Sequence, residues 1–356
     1  MIEEELRRAL AGLVDGLPPR QAAGAVERLM AGYRGRTPTD APVLRDRADV
    51  VAYAAYRMPA TFAAVSSALG AFAERTDGWR PESHLDVGGG TGAAVWAAAA
   101  VWGDGGPDND GGDGRPGGAP RRTTVLDWSE PALALGRELA AAAAAAAGGS
   151  ASTAALRGTE WRRQSLREHE RGRTDAALPA ADLVTVSYVL GELTEQDRRA
   201  VIDAALHAAP AVVVTEPGTP DGYDRIIAAR EMLIEAGLRV LAPCPHSAPC
   251  PMVPGEDWCH FAARVNRSSL HRQVKGGSLP YEDEKYSYVA AARPGIVGEP
   301  AEARIVRRPQ KRKGQVLLDL CTADDGLRAA TVTKRHGGAY RQARDVKWGD
   351  AWPPAS

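Results

Sequence analysis

Residues 84–99, HLDVGGGTGAAVWAAA, decide the fold. A short apolar run ends at Val87, three glycines follow, and a helical pattern begins near Ala93. Glycine lets the backbone turn sharply and lets a ligand approach the main chain. The free N–H groups of the new helix then point at whatever lies in front of the turn. Outward from there, apolar runs at 84–87 (HLDV), 123–127 (TTVLD), 181–187 (ADLVTVS) and 211–216 (AVVVTE) alternate with helical patterns such as PALALGRELAAAAAAA and EQDRRAVIDAALHAA. Such alternation predicts an α/β fold, a parallel sheet with helices on both faces.

The flanks differ in kind. Residues 1–78 read as a helical segment, with apolar residues at three- and four-residue spacing in LRRALAGLV and AAGAVERLMAGY. The pattern continues over 46–74, where Pro59 is expected to interrupt it. The stretch 103–120, GDGGPDNDGGDGRPGGAP, lacks the apolar residues for a core and predicts a disordered insertion. The alanine run 140–147 predicts a frayed helix end. After Leu241 the chain turns to Pro, Cys and His and then to a basic, strand-rich stretch, which places a domain boundary near 240. Three parts are expected: 1–78, 79–240 and 241–350.

The glycine turn satisfies the dinucleotide pattern G-x-G-x-x-A at Gly88, Gly90 and Ala93. That pattern alone does not separate a nicotinamide cofactor from S-adenosylmethionine. Asp86 two residues before Gly88 makes D-x-G-x-G, the form common in class I methyltransferases, and suits a cofactor bearing an amino acid and no phosphates. Asp127 ends the second strand, where a carboxylate accepts both ribose hydroxyls. Without the insertion, its spacing from the turn falls near the ~20 residues expected. Gln164 follows a third short segment, where an amide could meet adenine. The cofactor expected is S-adenosylmethionine; a tight turn without ligand and a nicotinamide site are the alternatives.

The chain has 356 residues and a formal net charge of -1, a length that suggests about two domains. The near-zero charge hides an asymmetry. Between Arg304 and Lys347 there are twelve Lys or Arg against four Asp, a window of +8. A basic end with Tyr340 and Trp348 interspersed predicts contact with a polyanion, RNA before a bare solvated surface. The N-terminal residues MIEEELRRAL show no apolar signal-peptide core, and no run of eighteen apolar residues suggests a membrane span. A cytoplasmic, reducing location is expected, and disulfides with it become improbable. The four cysteines, Cys244, Cys250, Cys259 and Cys321, are all the chain has. Four thiolates suit a closed zinc shell or an iron–sulfur cluster, spacing does not choose between them, and inert buried thiols are the alternative. His246 and His260, beside cysteines, are expected to stay outside the ligand set.

These features together resemble the methyltransferase-like assembly factors of the small ribosomal subunit, found in mitochondria and bacteria. The resemblance runs through AYRMPATFAAV (55–65), HLDVGGGTGAA, VSYVLGEL (186–193), VVVTEPGTPDGY (212–223), CPHSAPCPM, DWCHF, EDEKYSYVAAAR and RRPQKRKGQVLLDLC. It implies a Rossmann-like class I methyltransferase sheet with an N-terminal helical segment and a C-terminal cysteine-rich basic β module. It implies a 4Fe-4S cluster held by Cys244, Cys250, Cys259 and Cys321, and small-subunit rRNA or an assembly intermediate as partner, with neither DNA nor membrane. A methyl acceptor would sit beyond the strand ends, where Ser187, Tyr188 and Glu192 are the catalytic candidates. Strand-end packing is the plainer account of all three, because SYVLGEL lacks the proline pair and amide of amino-directed base methyltransferases. Two further readings stay open: a binding factor that keeps the fold without the chemistry, and a small-molecule methyltransferase or oxidoreductase with a zinc staple.

Overall fold

The computed structural model describes residues 2–15, 24, 47–103, 119–146, 153–166, 177–267 and 279–354. The insertion expected at 103–120 lies outside them apart from its ends. Two helices come first, α1 (Ile2–Asp15) and α2 (Arg47–Ala73). Contrary to expectation, α2 runs through Pro59 without a break. Proline removes one intrahelical hydrogen bond, but Val50, Ala54, Met58, Phe62, Val65 and Leu69 form a continuous buried stripe. Tertiary packing of such a stripe outweighs local preference.

Strands β1 (Ser83–Val87), β2 (Arg122–Asp127), β3 (Glu160–Arg163), β4 (Leu183–Ser187) and β5 (Ala211–Pro217) pair in parallel in the order β3-β2-β1-β4-β5. Between them run α3 (Ala93–Trp102), α4 (Glu130–Ala146) and α5 (Glu195–Ala208), and α6 (Pro220–Glu235) follows β5. Phe72, Trp96 and Leu133 pack one face of the sheet beneath α1 to α4. Val201, Ile202, Ile226 and Leu233 pack the other beneath α5 and α6. Strands covered on both faces are largely apolar, as LVTV of β4 is. The alanine run of α4 stays helical to Ala146, and Ala140, Ala143 and Ala144 are buried, so it is packed and not frayed.

The sheet also crosses the boundary expected near 240. β6 (Arg239–Ala242), β7 (Phe261–Asn266) and β8 (Tyr281–Ala292) all belong to it. β8 enters antiparallel between β5 and β6, and β7 pairs with the first half of β8. The physical reason is burial: the last seven residues of β8 are buried and fill the place beside β5. The order β3-β2-β1-β4-β5-β8-β6, with one reversed strand, is that of the Rossmann-like class I methyltransferase sheet. β6 and β7 share one edge of β8, and residues 243–260 leave the sheet between them.

A second sheet follows, of β9 (Ala303–Ile305), β10 (Gln310–Arg312), β11 (Gln315–Thr322), β12 (Gly326–Thr333) and β13 (Ala351–Trp352). Its order is β10-β11-β9-β13, with β12 along the other edge of β11. Val316, Leu318 and Leu320 of β11 enter its core with Ile305, Val332 and Ala343, the last from α7 (Gly338–Asp345). Cys321 alternates to the opposite face, toward the first sheet. No helix among the described residues is long and apolar enough to cross a membrane.

Candidate functional site

Two clusters deserve the name of site, and each is built from chain ends at strand termini. The first forms around the glycine turn. Gly88, Gly90 and Gly92 have φ of 70, 53 and 82°, conformations that favour glycine. The turn is pinned by Gly88 N–H to the Leu126 carbonyl (2.8 Å) and by Gly90 N–H to Asp127 Oδ2 (2.9 Å). The other oxygen of Asp127 accepts from Ser129 N–H at 2.8 Å. Burial pushes the Asp127 carboxyl up, and the amides of Ser129, Gly90 and Trp128 pull it back.

Asp86 stands behind the turn and is fully buried. Thr185 donates to its Oδ1 at 2.8 Å, and Thr185 in turn sits 2.8 Å from His84 Nε2. Burial keeps His84 neutral by driving its pKa to about 3, with Arg121 adding to the effect. Asp86 Oδ2 has no partner. It faces Gly89, where a Cβ would strike this same carboxylate. Burial raises the Asp86 pKa to about 7; the Thr185 bond opposes this and the Asp127 charge adds to it.

Two more acids close the cluster. Glu216, at the end of β5, is buried, pairs with Arg225 at 2.6 Å and accepts from Leu190 N–H at 3.1 Å. Glu192 lies at the lip with its own surface exposed. The protein mass around it, and then Asp127 and Glu216, push its carboxyl up to about 7. Four carboxylates thus converge where β1, β2, β4 and β5 end, and only Glu216 has an ion-pair partner among the described residues. That surplus of negative charge, with an orphaned oxygen at the turn, is complementary to a cationic ligand and repels a pyrophosphate.

Of the other sequence candidates, Gln164 gives its backbone N–H to the Asp127 carbonyl at 2.9 Å. Ser187 Oγ is buried without a partner. Tyr188 adopts φ 58°, rare for a side-chain-bearing residue. Its hydroxyl donates to Glu284 Oε1 (3.2 Å), which Arg57 also reaches at 3.3 Å. Burial and then Glu284 hold the phenol well above its ordinary pKa, so Tyr188 is a donor locked to a carboxylate, not a free base. Sequence reasoning missed Trp128, exposed beside Asp127, which the pattern DWS could have flagged as a flat apolar surface next to the acid.

The second cluster gathers the cysteines. Cys244, Cys250, Cys259 and Cys321 all line one cavity of about 30 Å³, together with Tyr223, Arg230 and Arg304. The loop 243–260 brings three of them and β11 the fourth. Ser287 on β8 holds the loop through the Cys259 carbonyl (2.8 Å), Trp258 Nε1 donates to the Gly218 carbonyl (3.0 Å), and Asp257 pairs with Arg307. The Tyr223 hydroxyl lies 3.2 Å from Cys250 Sγ, and His246 Nε2 lies 3.6 Å from Cys321 Sγ. His260 is instead stacked on Trp258 and packed by Trp348. Among the described residues no group of three His, Cys, Asp or Glu is placed to hold a metal ion. The thiols share a cavity without being drawn onto one point, and its space suffices for about two waters.

Burial pushes the Cys244 thiol up, against Arg230; it pushes Cys259 well up, helped by the three other cysteines; and it takes Cys321 to about 12. These groups are thiols until a cation takes the place of their protons. The donor set itself, four sulfurs and two buried guanidiniums without carboxylates, matches an anionic metal–thiolate centre.

The basic window is split. Arg308, Lys311, Arg312, Lys313, Arg328, Lys334, Arg335, Arg341, Arg344 and Lys347 are exposed, whereas Arg304 is buried and Arg307 is paired. The aromatics expected to stack on bases are partly engaged: Trp348 packs on His260 under Lys285, and Tyr340 against the second core.

Comparison with known proteins adds a family. Residues 47–353 match the family described as mitochondrial small ribosomal subunit Rsm22. The chain is 29% identical over 323 residues to the human "Ribosome assembly protein METTL17, mitochondrial", covering 85% of this chain and 62% of that protein. It is 27% identical over 185 residues to the "Rsm22-cox11 tandem protein 2, mitochondrial" of Schizosaccharomyces pombe, covering 40% of this chain and 24% of that one. The chain therefore spans about three fifths of the human relative's length. Among solved structures, an O-methyltransferase family protein from Burkholderia thailandensis overlaps with a TM-score of 0.40 at 15% identity, over 76% of this chain and 68% of that one.

Proposed function

This chain belongs to the Rsm22 family of mitochondrial small ribosomal subunit proteins, and from that premise we propose that it is a methyltransferase-like factor in assembly of the small ribosomal subunit, binding rRNA through its second sheet. The observation that carries the reading is the exposed row of ten Arg and Lys on the module that also supplies Cys321. Cations at that density neutralise phosphates, and the human relative's name, a ribosome assembly protein, supplies the kind of polyanion. The place of action is the cytoplasm, with the ribosomes. Co-sedimentation of the purified chain with small-subunit intermediates, lost on raising salt, is the expected result; equal retention on large subunits or on DNA overturns it.

At the glycine turn we assign S-adenosylmethionine. Its ammonium and sulfonium charges suit the carboxylates of Asp86, Asp127 and Glu192, and the turn of Gly88 and Gly90 offers the close approach. Gln164 and Trp128 flank the place of the base. When bound, the cofactor supplies an electrophilic methyl group. Asp86 would hold its amino group and Asp127 its ribose. Calorimetry against S-adenosylmethionine and NAD decides this assignment.

At the cysteine cavity we assign a 4Fe-4S cluster to Cys244, Cys250, Cys259 and Cys321, in a structural role. Zinc is the alternative for the same four sulfurs. Iron and sulfide analysis of anaerobically purified protein separates the two.

A second reading is a factor that keeps the fold without methyl transfer. The lock of Tyr188 onto Glu284, which Arg57 also reaches, favours it, since it removes that phenol as a free base. Tritium transfer from labelled S-adenosylmethionine into assembling subunits divides the readings.

A further inference from the structure

We propose that Arg230 and Arg304 are the counter-cations of the cysteine cavity, so that it is built for a tetrathiolate metal centre of net charge minus two. The proposal rests on the reading of the four cysteines as ligands and adds the charge that balances them.

Arg230, on α6, and Arg304, on β9, are 3% and 2% exposed. Both line the same cavity as the four thiols. The ion pairs formed among the described residues leave both out. Backbone carbonyls orient both, and Arg230 also bonds the Cys244 side chain. Arg230 Nη2 donates to His246 at 2.9 Å and Ala248 at 2.7 Å. Arg304 Nε donates to Pro243 and its Nη1 to Gly349, both at 2.8 Å. Carbonyls fix a guanidinium without cancelling its charge, and a buried charge without a counter-ion is strongly unfavourable. One N–H group on each is left over, Arg230 Nε and Arg304 Nη2, buried and without a partner.

Among the described residues, no carboxylate lines the cavity to meet these two charges. Four thiolates around a core of charge plus two, the charge of Zn²⁺ and of a cubane cluster in its oxidised form, sum to minus two, and the two guanidiniums bring the cavity to zero. The same arginines grip the ligand-bearing segments. Their carbonyl partners flank Cys244 and precede Cys250, and Arg304 lies opposite Cys321 in the β9–β11 register. They are positioning residues, acting through the ligands.

The test uses the full chain purified without oxygen, with iron, sulfide and zinc counted per chain and thermal midpoints read before and after chelation. Arg230→Met and Arg304→Met should load several-fold less metal than wild type. Stripped of metal, they should melt no lower than stripped wild type, because the unmet charge is gone. Arg230→Lys should restore most of the loading. A strap role alone would lower both midpoints equally, and that result overturns the proposal. Should a Met variant not fold, Arg304→Gln and Arg304→Lys take its place: loading in Lys alone supports the charge role, equal loading overturns it. Wild type carrying neither iron nor zinc defeats the ligand reading first, and the proposal with it.

Discussion

The glycine turn and the cysteine cavity are opposites in charge and in assembly. At the turn, three carboxylates without ion-pair partners crowd one strand-end crevice, and Asp86 Oδ2 is an orphaned acceptor. At the cavity, two guanidiniums line the same space as four cysteines and, among the described residues, no carboxylate, and their spare N–H groups are orphaned donors. On the functions proposed above, each region lacks a ligand of a particular sign: a cation at the turn, an anionic centre among the thiols. The turn is encoded within seven residues, 86–92, plus Asp127. The cavity needs Arg230, residues 243–260, Arg304 and Cys321, and exists only once two sheets are docked.

Breaking the cavity should have the larger effect. Cys321→Ser removes the one ligand that the second sheet contributes. A structural metal site is worth on the order of 10 kcal/mol, so the variant should lose at least 10-fold in metal content and melt well below wild type. Binding at the turn, measured by calorimetry, should be unchanged. Full iron content in Cys321→Ser would remove that residue from the ligand set.

The next effect reverses the usual sign. A carboxyl whose folded pKa is raised, here from 3.8 to about 7, holds its proton more tightly in the folded state. Its favourable contribution is whole at low pH and is lost as pH climbs from about 4 through 7. That shift corresponds to about 4 kcal/mol. Asp86→Asn should match wild type near pH 4 and exceed it by up to about 4 kcal/mol at pH 8, with His84 cancelling in the difference. The same change should weaken S-adenosylmethionine binding about 100-fold, the usual scale for losing one partner of a buried charge pair. Denaturant curves at the two pH values check the first half. An Asn variant with parallel pH dependence would show that Asp86 does not titrate there.

Gly89→Ala sharpens the same point sterically. Its Cβ would meet the Asp86 carboxylate and Val125 Cγ1 at 2.8 Å. Overpacking of this kind costs about 1–3 kcal/mol, and the turn should lose cofactor affinity with stability. The metal content of the cavity should not move.

How much of this was legible follows from the contrast. The strands, their order of appearance and the glycine turn could be read because period-two and period-3.6 patterns and a glycine cluster are local signals. The place of β8 could not: EKYSYVAAA lies between Cys259 and Cys321, and nothing local says that it returns between β5 and β6. Pro59 and the alanine run misled for the same reason, since their fate is set by partners across the core. The cysteines were visible because the chain has few of them. The arginines were not. Arg230 sits in an ordinary helical stretch, and Arg304 opens a basic run and was counted with the surface cations, yet it is 2% exposed. Sequence does not distinguish a buried guanidinium from a solvated one; the all-buried strand ARI around it does.

The smallest effect on the fold should come from the surface that matters most for the partner. Lys311, Arg312 and Lys313 are exposed on and beside β10, which has β11 on one side only. Replacing all three by alanine should change stability by no more than about 0.5 kcal/mol per site. Binding to RNA should respond through salt. Each phosphate contact on a single strand contributes about 0.7 to the slope of log K against log salt, so the triple variant should lose about 2 from that slope. Neither the metal content nor cofactor binding should change, because both buried sites lie on other faces. An unchanged slope would move the RNA contact away from β10, toward Arg328, Lys334 and Arg335 on the β12 side, and would leave the charge contrast between the two buried sites intact.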